Sequence, residues 1–183
     1  GRCGKQWGFE LYEVVPDLFC LGKGISSSLP ISAVIGKQDV LDLYGPNEMT
    51  STHSGNAVCC AAALASIETI QKEKLIKNAA TVGKVLHAEL QSIMAEFSDV
   101  IGFAPALGLV GGLQTVKKGT KDPDGDLAWE VVNLSYRRGL MMFAPVGFGG
   151  GCIKIAPPLC INKDATREGC SVIRESLKEI LKR

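Results

Sequence analysis

The sequence predicts a mixed α/β fold that gives way to an α+β segment in its second half. Three observations carry this. Short apolar runs closed by glycine and proline fill the first quarter. A long helical stretch follows, and strand-like and helical patterns alternate over the last ninety or so residues. Leu18-Phe19-Cys20-Leu21 is short enough for a buried strand and is stopped by Gly22, and Ile31-Ser32-Ala33-Val34-Ile35 is a second such strand closed by Gly36. Asp39 to Leu43 has room for a short helix before the turn Gly45-Pro46-Asn47. Ser54, Gly55 and Asn56 supply a helix start, and Ala57 to Ile70 is apolar nearly all round, which predicts a buried helix. From Glu73 to Phe97 the pattern turns amphipathic, with Leu75, Ala79, Val82, Leu86, Leu90, Ile93 and Phe97 at three- and four-residue steps.

Beyond that helix, Leu107 to Val110 and Gly112 to Val116 read as strand broken by glycine, and Lys117 to Gly125 as a polar turn. Asp126 is placed to cap a helix over Leu127 to Arg138, which Gly139 ends. Strands near Leu140–Phe143 and Cys152–Ile155 flank the glycine loop Gly147 to Gly151. Asn162 to Asp164 opens a final amphipathic helix through Ile173, Leu177, Ile180 and Leu181. The change from apolar to charged helix near residues 72–78 divides the chain into residues 1–75 and 76–183.

Composition narrows the function classes. The chain has 183 residues, 46% hydrophobic and 21% charged, which excludes disordered and fibrous classes. Lys+Arg 20 against Asp+Glu 19 leaves a formal charge of +1, so no global field attracts nucleic acid or an anionic membrane. The apolar stretch Ala57 to Ala65 is far short of a bilayer span, and no basic and apolar leader opens the sequence. Seven scattered cysteines, including vicinal Cys59-Cys60, contain no C-x-x-C pair and form no disulfide framework, so a reducing, cytoplasmic compartment is expected.

Few residues are left to carry chemistry. His87 lies on a charged helix face, and His53 has no second metal ligand nearby in sequence. No G-x-S-x-G elbow occurs. Gly22-Lys23 matches the end of a Walker loop, but Asp17 and Gly24 stand where Gly and Ser/Thr are needed. The loop Gly147 to Cys152 lacks the third glycine of a dinucleotide fingerprint. Lys23 remains. It follows an apolar run at the C-terminal end of an expected strand, where open α/β sheets place their sites, and its flanking glycines leave room for something large on the amine. Partial burial would supply the free amine that Schiff-base chemistry needs, and a solvated loop lysine is the plain alternative.

The surrounding motifs are Gly1-Arg2-Cys3-Gly4-Lys5-Gln6-Trp7-Gly8-Phe9-Glu10, Pro16-Asp17-Leu18, Leu21-Gly22-Lys23-Gly24 and Leu29-Pro30-Ile31-Ser32-Ala33-Val34-Ile35-Gly36. Ser51-Thr52-His53-Ser54-Gly55-Asn56-Ala57 and Ile153-Lys154-Ile155-Ala156-Pro157-Pro158-Leu159 follow. In this order they resemble the C-terminal portion of the class III (omega) aminotransferases, over nearly the whole chain. The resemblance implies the fold-type I architecture of pyridoxal-phosphate enzymes. Residues 1–75 would end the large, parallel or mixed-sheet cofactor domain, and 76–183 would form the small α+β domain.

It also implies roles. Lys23 would form the Schiff base with pyridoxal 5'-phosphate, and Thr52 would bind the cofactor phosphate, in the family across a homodimer interface. A threonine hydroxyl with loop amides ahead of a helix is a sound phosphate ligand, and capping of that helix is the alternative role. Lys154 stands where many members carry an arginine for the substrate carboxylate; it keeps the charge and loses the bidentate fork. A sheet-edge lysine facing water is the alternative for Lys154. Pro105-Ala106 replace the family's Arg-Gly.

The implied reaction moves an amino group between an amino compound and a 2-oxo acid. A decarboxylase, racemase or aminomutase on the same scaffold, and a non-catalytic piece that supports dimerisation, are the alternatives. In the family an acidic residue that pairs with the pyridine nitrogen, the glycine-rich phosphate loop and the ring-stacking residues precede the segment matched here. These 183 residues by themselves are therefore expected to be inactive and prone to aggregation.

Overall fold

The structure, a computed structural model, describes residues 1–182. It divides into two compact units, Trp7–Leu75 and a second made of Gly1–Gln6 together with the chain from Ile76 onward.

In the Trp7–Leu75 unit, β1 (Leu18–Leu21) pairs antiparallel with β2 (Ala33–Gly36), Leu18 opposite Gly36 and Leu21 opposite Ala33. Phe19 of β1 gathers Trp7 and Phe9, with ring centroids 5.2 and 5.3 Å away, which seats the short 3-10 helix Gly8–Tyr12 against the strand. The Lys37 ammonium on the Asp17 carboxylate, at 2.6 Å, closes the end of the pair and holds the Asp17 carboxyl below its usual range. A short helix, α1 (Gln38–Leu41), and the long α2 (Ala57–Lys72) complete the unit.

Two expectations are corrected here. Neither strand is buried: Leu18, Val34 and Ile35 are all more than two-fifths exposed. Helix α2 is not buried all round either. Only the stripe Cys59, Ala62, Ala63, Ser66, Ile67 and Ile70 is half-buried, while Val58 and Leu64 are exposed. An all-round apolar sequence sets the capacity for burial, and neighbours must use it. Among the described residues of this unit only one face of α2 has a neighbour.

In the other unit, α3 (Leu75–Glu96) buries Ala79, Val82, Leu86, Leu90 and Ile93, the stripe that its periodicity predicts. Strand β5 (Val110–Thr115) is the spine of an antiparallel sheet. It pairs with β3 (Ile101–Phe103) and β4 (Ala106–Leu107) along one edge and with β6 (Cys152–Ile155) along the other. Leu113 faces Ile153 across the β5–β6 pair, and both are fully buried. The apolar stripes of α3, α4 (Gly125–Arg137) and α5 (Lys163–Ile180) close over them in one core. Cys170 of α5 lies in that core, and burial pushes its thiol up to about 12.

Helix caps follow local chemistry. The Asn162 side chain accepts from the Ala165 amide at 2.8 Å to start α5. Helix α4 begins earlier than expected, because Asp124 rather than Asp126 accepts from the Leu127 amide, at 3.0 Å. Thr115, fully buried, fixes this corner by donating its hydroxyl towards the Asp124 and Gly151 carbonyls, at 2.6 and 2.9 Å. The strand expected near Leu140–Phe143 does not form. Those residues make no ladder, Pro145 has no amide to offer, and pairing begins only at the Val146–Cys152 bridge.

Three backbone layers meet where α3 passes the β4–β5 turn. A Cβ at Gly83 would lie 2.5 Å from the Gly108 backbone, and one at Gly108, where φ is +56°, would lie 2.3 Å from the Arg2 carbonyl oxygen. Gly83→Ala should therefore cost about 1–3 kcal/mol by overpacking. The exposed neighbour change Lys84→Ala should stay within about 0.5 kcal/mol. Urea denaturation of the two variants checks this, and equal midpoints would contradict the close approach.

Candidate active site

The strand β1 ends at Leu21, and the chain turns through Gly22 into a single 3-10 turn, Lys23–Ile25. Lys23 sits at the first position of that turn with φ +51°, in the left-handed region that disfavours a side chain bearing a Cβ. Ser27, four residues on, is also left-handed, with φ +64°. Each such residue costs about 1–3 kcal/mol, so surrounding contacts must hold the loop in this shape. Ser26, the only buried residue of the loop, does so by donating its hydroxyl to the Leu29 carbonyl.

Lys23 is exposed, which corrects the expected partial burial. Its ammonium makes no hydrogen bond or ion pair among the described residues. A Cβ placed on Gly24 would meet nothing within 4 Å, so open space borders the lysine on that side.

Thr52 lies in the turn between α1 and α2. The turn is closed by the Ser54 amide donating to the Ser51 carbonyl at 3.1 Å and by the Ser51 and Ser54 hydroxyls 2.9 Å apart. Thr52 is exposed, and its hydroxyl has no partner among the described residues. It is not the helix cap. That role falls to Asn56, whose side-chain oxygen accepts from the Val58 and Cys59 amides at 3.1 Å each. Lys23 and Thr52 share the Trp7–Leu75 unit, and no hydrogen bond joins them.

Lys154 belongs to the other unit. On β6 it points to the face opposite buried Ile153, and it is half-buried rather than a lysine facing open water. Its ammonium lies 4.9 Å from the centre of the Phe143 ring, a cation–π contact. Both residues line an apolar cleft of about 530 Å3, together with Met142, Ile155, Ile161 and Ile173. Phe143 is not legible as a site residue in the sequence, where Leu140–Phe143 has the pattern of a strand. Nor is Arg2, whose guanidinium donates to the Leu109 and Pro157 carbonyls at 2.9 and 2.7 Å and so ties the chain start to the segment following Lys154. His53 and His87 are exposed, and no cluster of three potential metal ligands occurs among the described residues.

The family model for class III aminotransferases matches residues 1–177. The chain belongs to the class III aminotransferase family. Among curated relatives, an alanine/serine racemase of Pyrococcus horikoshii is 33% identical over 99% of this chain and 37% of its own length. A probable 4-aminobutyrate aminotransferase of Bacillus subtilis is 32% identical over 97% of this chain and 40% of its own. The crystal structure of an amine transaminase from an uncultivated Pseudomonas species, in a PLP-bound form, superposes with a TM-score of 0.88. It is 29% identical over 98% of this chain and 42% of that one. The chain thus spans about two-fifths of the length of the relatives it matches. This family chain keeps the fold-type I likeness, with α/β structure in both units.

The left-handed lysine yields a direct test. Lys23→Gly removes the Cβ that the conformation disfavours and should leave stability unchanged or raise it by about 0.5–1 kcal/mol. Thermal or urea unfolding measures this, and a loss above about 1 kcal/mol would mean that the side chain, not the backbone, sets the loop energy.

Proposed function

We propose that the protein carries out pyridoxal-phosphate-dependent transfer of an amino group between an amino compound and a 2-oxo acid. The observation that carries this reading is the class III aminotransferase family match over residues 1–177, and a lysine at a strand end with open space beside it supports it. The residues present fit the cofactor. Lys23 offers an unpartnered primary amine for the cofactor's carbonyl carbon, and Thr52 offers an unengaged hydroxyl for a phosphate oxygen.

The cofactor, when bound, supplies the electron sink that the reaction needs. Lys23 Nζ would hold it covalently and, when free, would act as the base that takes the proton from the amino-bearing carbon of the substrate. Thr52 Oγ1 would donate to the cofactor phosphate and so help to anchor it. Lys154 meets the substrate carboxylate as a point charge, and must leave the Phe143 ring to do so. A homodimer with sites shared across its interface, and a cytoplasmic location with all seven cysteines free, complete the proposal.

Borohydride reduction of the holo protein should fix a pyridoxyl mass on the peptide containing Gly22-Lys23-Gly24, and a label on another lysine overturns the assignment. Amino transfer is read as stoichiometric loss from the donor and gain by the 2-oxo acid. Inversion of the donor without consumption of acceptor would instead support a racemase, as the Pyrococcus relative is named.

Thr52→Ala should weaken cofactor affinity by about 1–3 kcal/mol, the range for a hydrogen bond to a charged group. Fluorescence titration checks this, and unchanged affinity refutes the phosphate role. Lys154→Met should raise KM for carboxylate-bearing donors far more than for amines without one. Equal effects on both would make Lys154 a packing residue.

A further inference from the structure

Helix α2 carries one polar side chain on an otherwise apolar half-buried stripe. Cys59, Ala62, Ala63, Ile67 and Ile70 occupy that stripe, and Ser66 sits among them. A serine inside a helix ordinarily bonds the carbonyl four residues back. Ser66 instead donates its hydroxyl to the Gly24 carbonyl at 3.5 Å, and its oxygen lies 3.4 Å from the Ser27 hydroxyl. The proton count fixes the direction of this chain: Ser66 spends its one hydrogen on Gly24, so Ser27 donates to Ser66. The two loop residues reached are Gly24, bonded directly to Lys23, and Ser27, the second left-handed residue of the loop.

We propose that Ser66 is a positioning residue for Lys23, its hydroxyl holding the lysine loop in its left-handed shape against α2. The inference rests on the reading of Lys23 given above. A residue in a strained conformation keeps it only where neighbours over-determine it. Ser26 secures the loop internally through the Leu29 carbonyl. Among the described residues, Ser66 supplies the side-chain hydrogen bonds that tie this loop to another element. Without the hydroxyl, the Gly24 carbonyl keeps the Ser27 amide, at 3.4 Å within the loop, and loses its side-chain tie to α2, so Lys23 can relax towards the right-handed region and its amine moves off the line on which it accepts a proton. A 1 Å displacement of a catalytic group is enough to slow a reaction by orders of magnitude while substrate binding is little changed.

The test compares Ser66→Ala, Ser66→Val and Ser66→Thr in the holo protein, with borohydride labelling of each. Ala and Val should keep the label on Lys23, lower kcat about tenfold and leave the donor KM within about twofold. They should also shift the midpoint of the pH-dependent visible absorption band of the bound cofactor. Thr, which restores the hydroxyl, should return both readouts to the parent values. Should Ser66→Ala fail to fold, Ser27→Ala removes the other hydroxyl of the chain and carries the same expectation. Label on Lys23 with unchanged kcat and band midpoint in Ala and Val overturns the proposal, as does a loss of melting temperature alone. Label on a different lysine overturns the reading of Lys23 and the proposal with it.

Discussion

The approach of Gly83 on α3 to Gly108 in the β4–β5 turn, and of Gly108 to the Arg2 backbone, is the constraint on which the larger unit is built. Three stretches distant in sequence are stacked with no side chain between them, and Gly4 closes on Ala80 in the same way, where a Cβ would lie 2.9 Å away. The Leu109 amide donates to the Arg2 carbonyl at 2.8 Å, and the Arg2 guanidinium returns to the Leu109 carbonyl. Its second bond, to the Pro157 carbonyl, fixes the segment that leaves β6 just after Lys154. The seat of α3 against the β4–β5 turn and the chain start thus depends on glycines whose missing side chains let backbone meet backbone, and the exit from β6 on the Arg2 guanidinium.

The two units are stabilised in different ways. The larger one has a closed core in which Leu86, Leu90, Leu113, Ile153, Ile173 and Leu177 are essentially without exposure, and burial of such side chains is the dominant favourable term in folding. Ion pairs lie at the edges of this core. Arg174 on α5 reaches Glu96 and Glu89 on α3 at 3.0 and 3.6 Å, and Lys178 reaches Glu96 at 3.3 Å. Hydrogen bonds to Glu96 and to Glu175 raise the Lys178 pKa, so its contribution is present at neutral pH and is lost as pH rises through the folded-state value. In the Trp7–Leu75 unit no hydrophobic side chain is fully buried; aromatic contacts and an exposed ion pair brace the β1–β2 pair, and the Ser26 hydroxyl secures the lysine loop.

This contrast bears on chemistry. Lys23 and Thr52 stand in the unit with the lesser core, on a loop and a turn whose polar atoms are open to a ligand. Lys154 stands on a strand anchored by fully buried Ile153 opposite fully buried Leu113. Exposed loops gain access at the expense of rigidity, and the serine hydrogen bonds around the left-handed Lys23 restrain this loop locally. The cation–π contact with Phe143 likewise restrains the flexible Lys154 ammonium.

The sequence by itself determined the elements that local pattern encodes. The period of α3, the Asn56 and Asn162 caps, the strand ending at Leu21 and the Gly-Lys-Gly step are all readable because spacing and turn chemistry are properties of neighbouring residues. It also carried the ordered motifs that place the chain in its family. Burial was decided elsewhere. The apolar runs at β1, β2 and α2 specify surface able to be covered, and whether it is covered depends on which elements come to lie against it. The cap of α4 turned on which of two nearby aspartates meets the Leu127 amide, and Leu140–Phe143 lacks a strand because no partner offers it a ladder. The tie from Ser66 to the lysine loop spans about forty residues and leaves no periodic trace, so only the folded chain could bring that hydroxyl to Gly24.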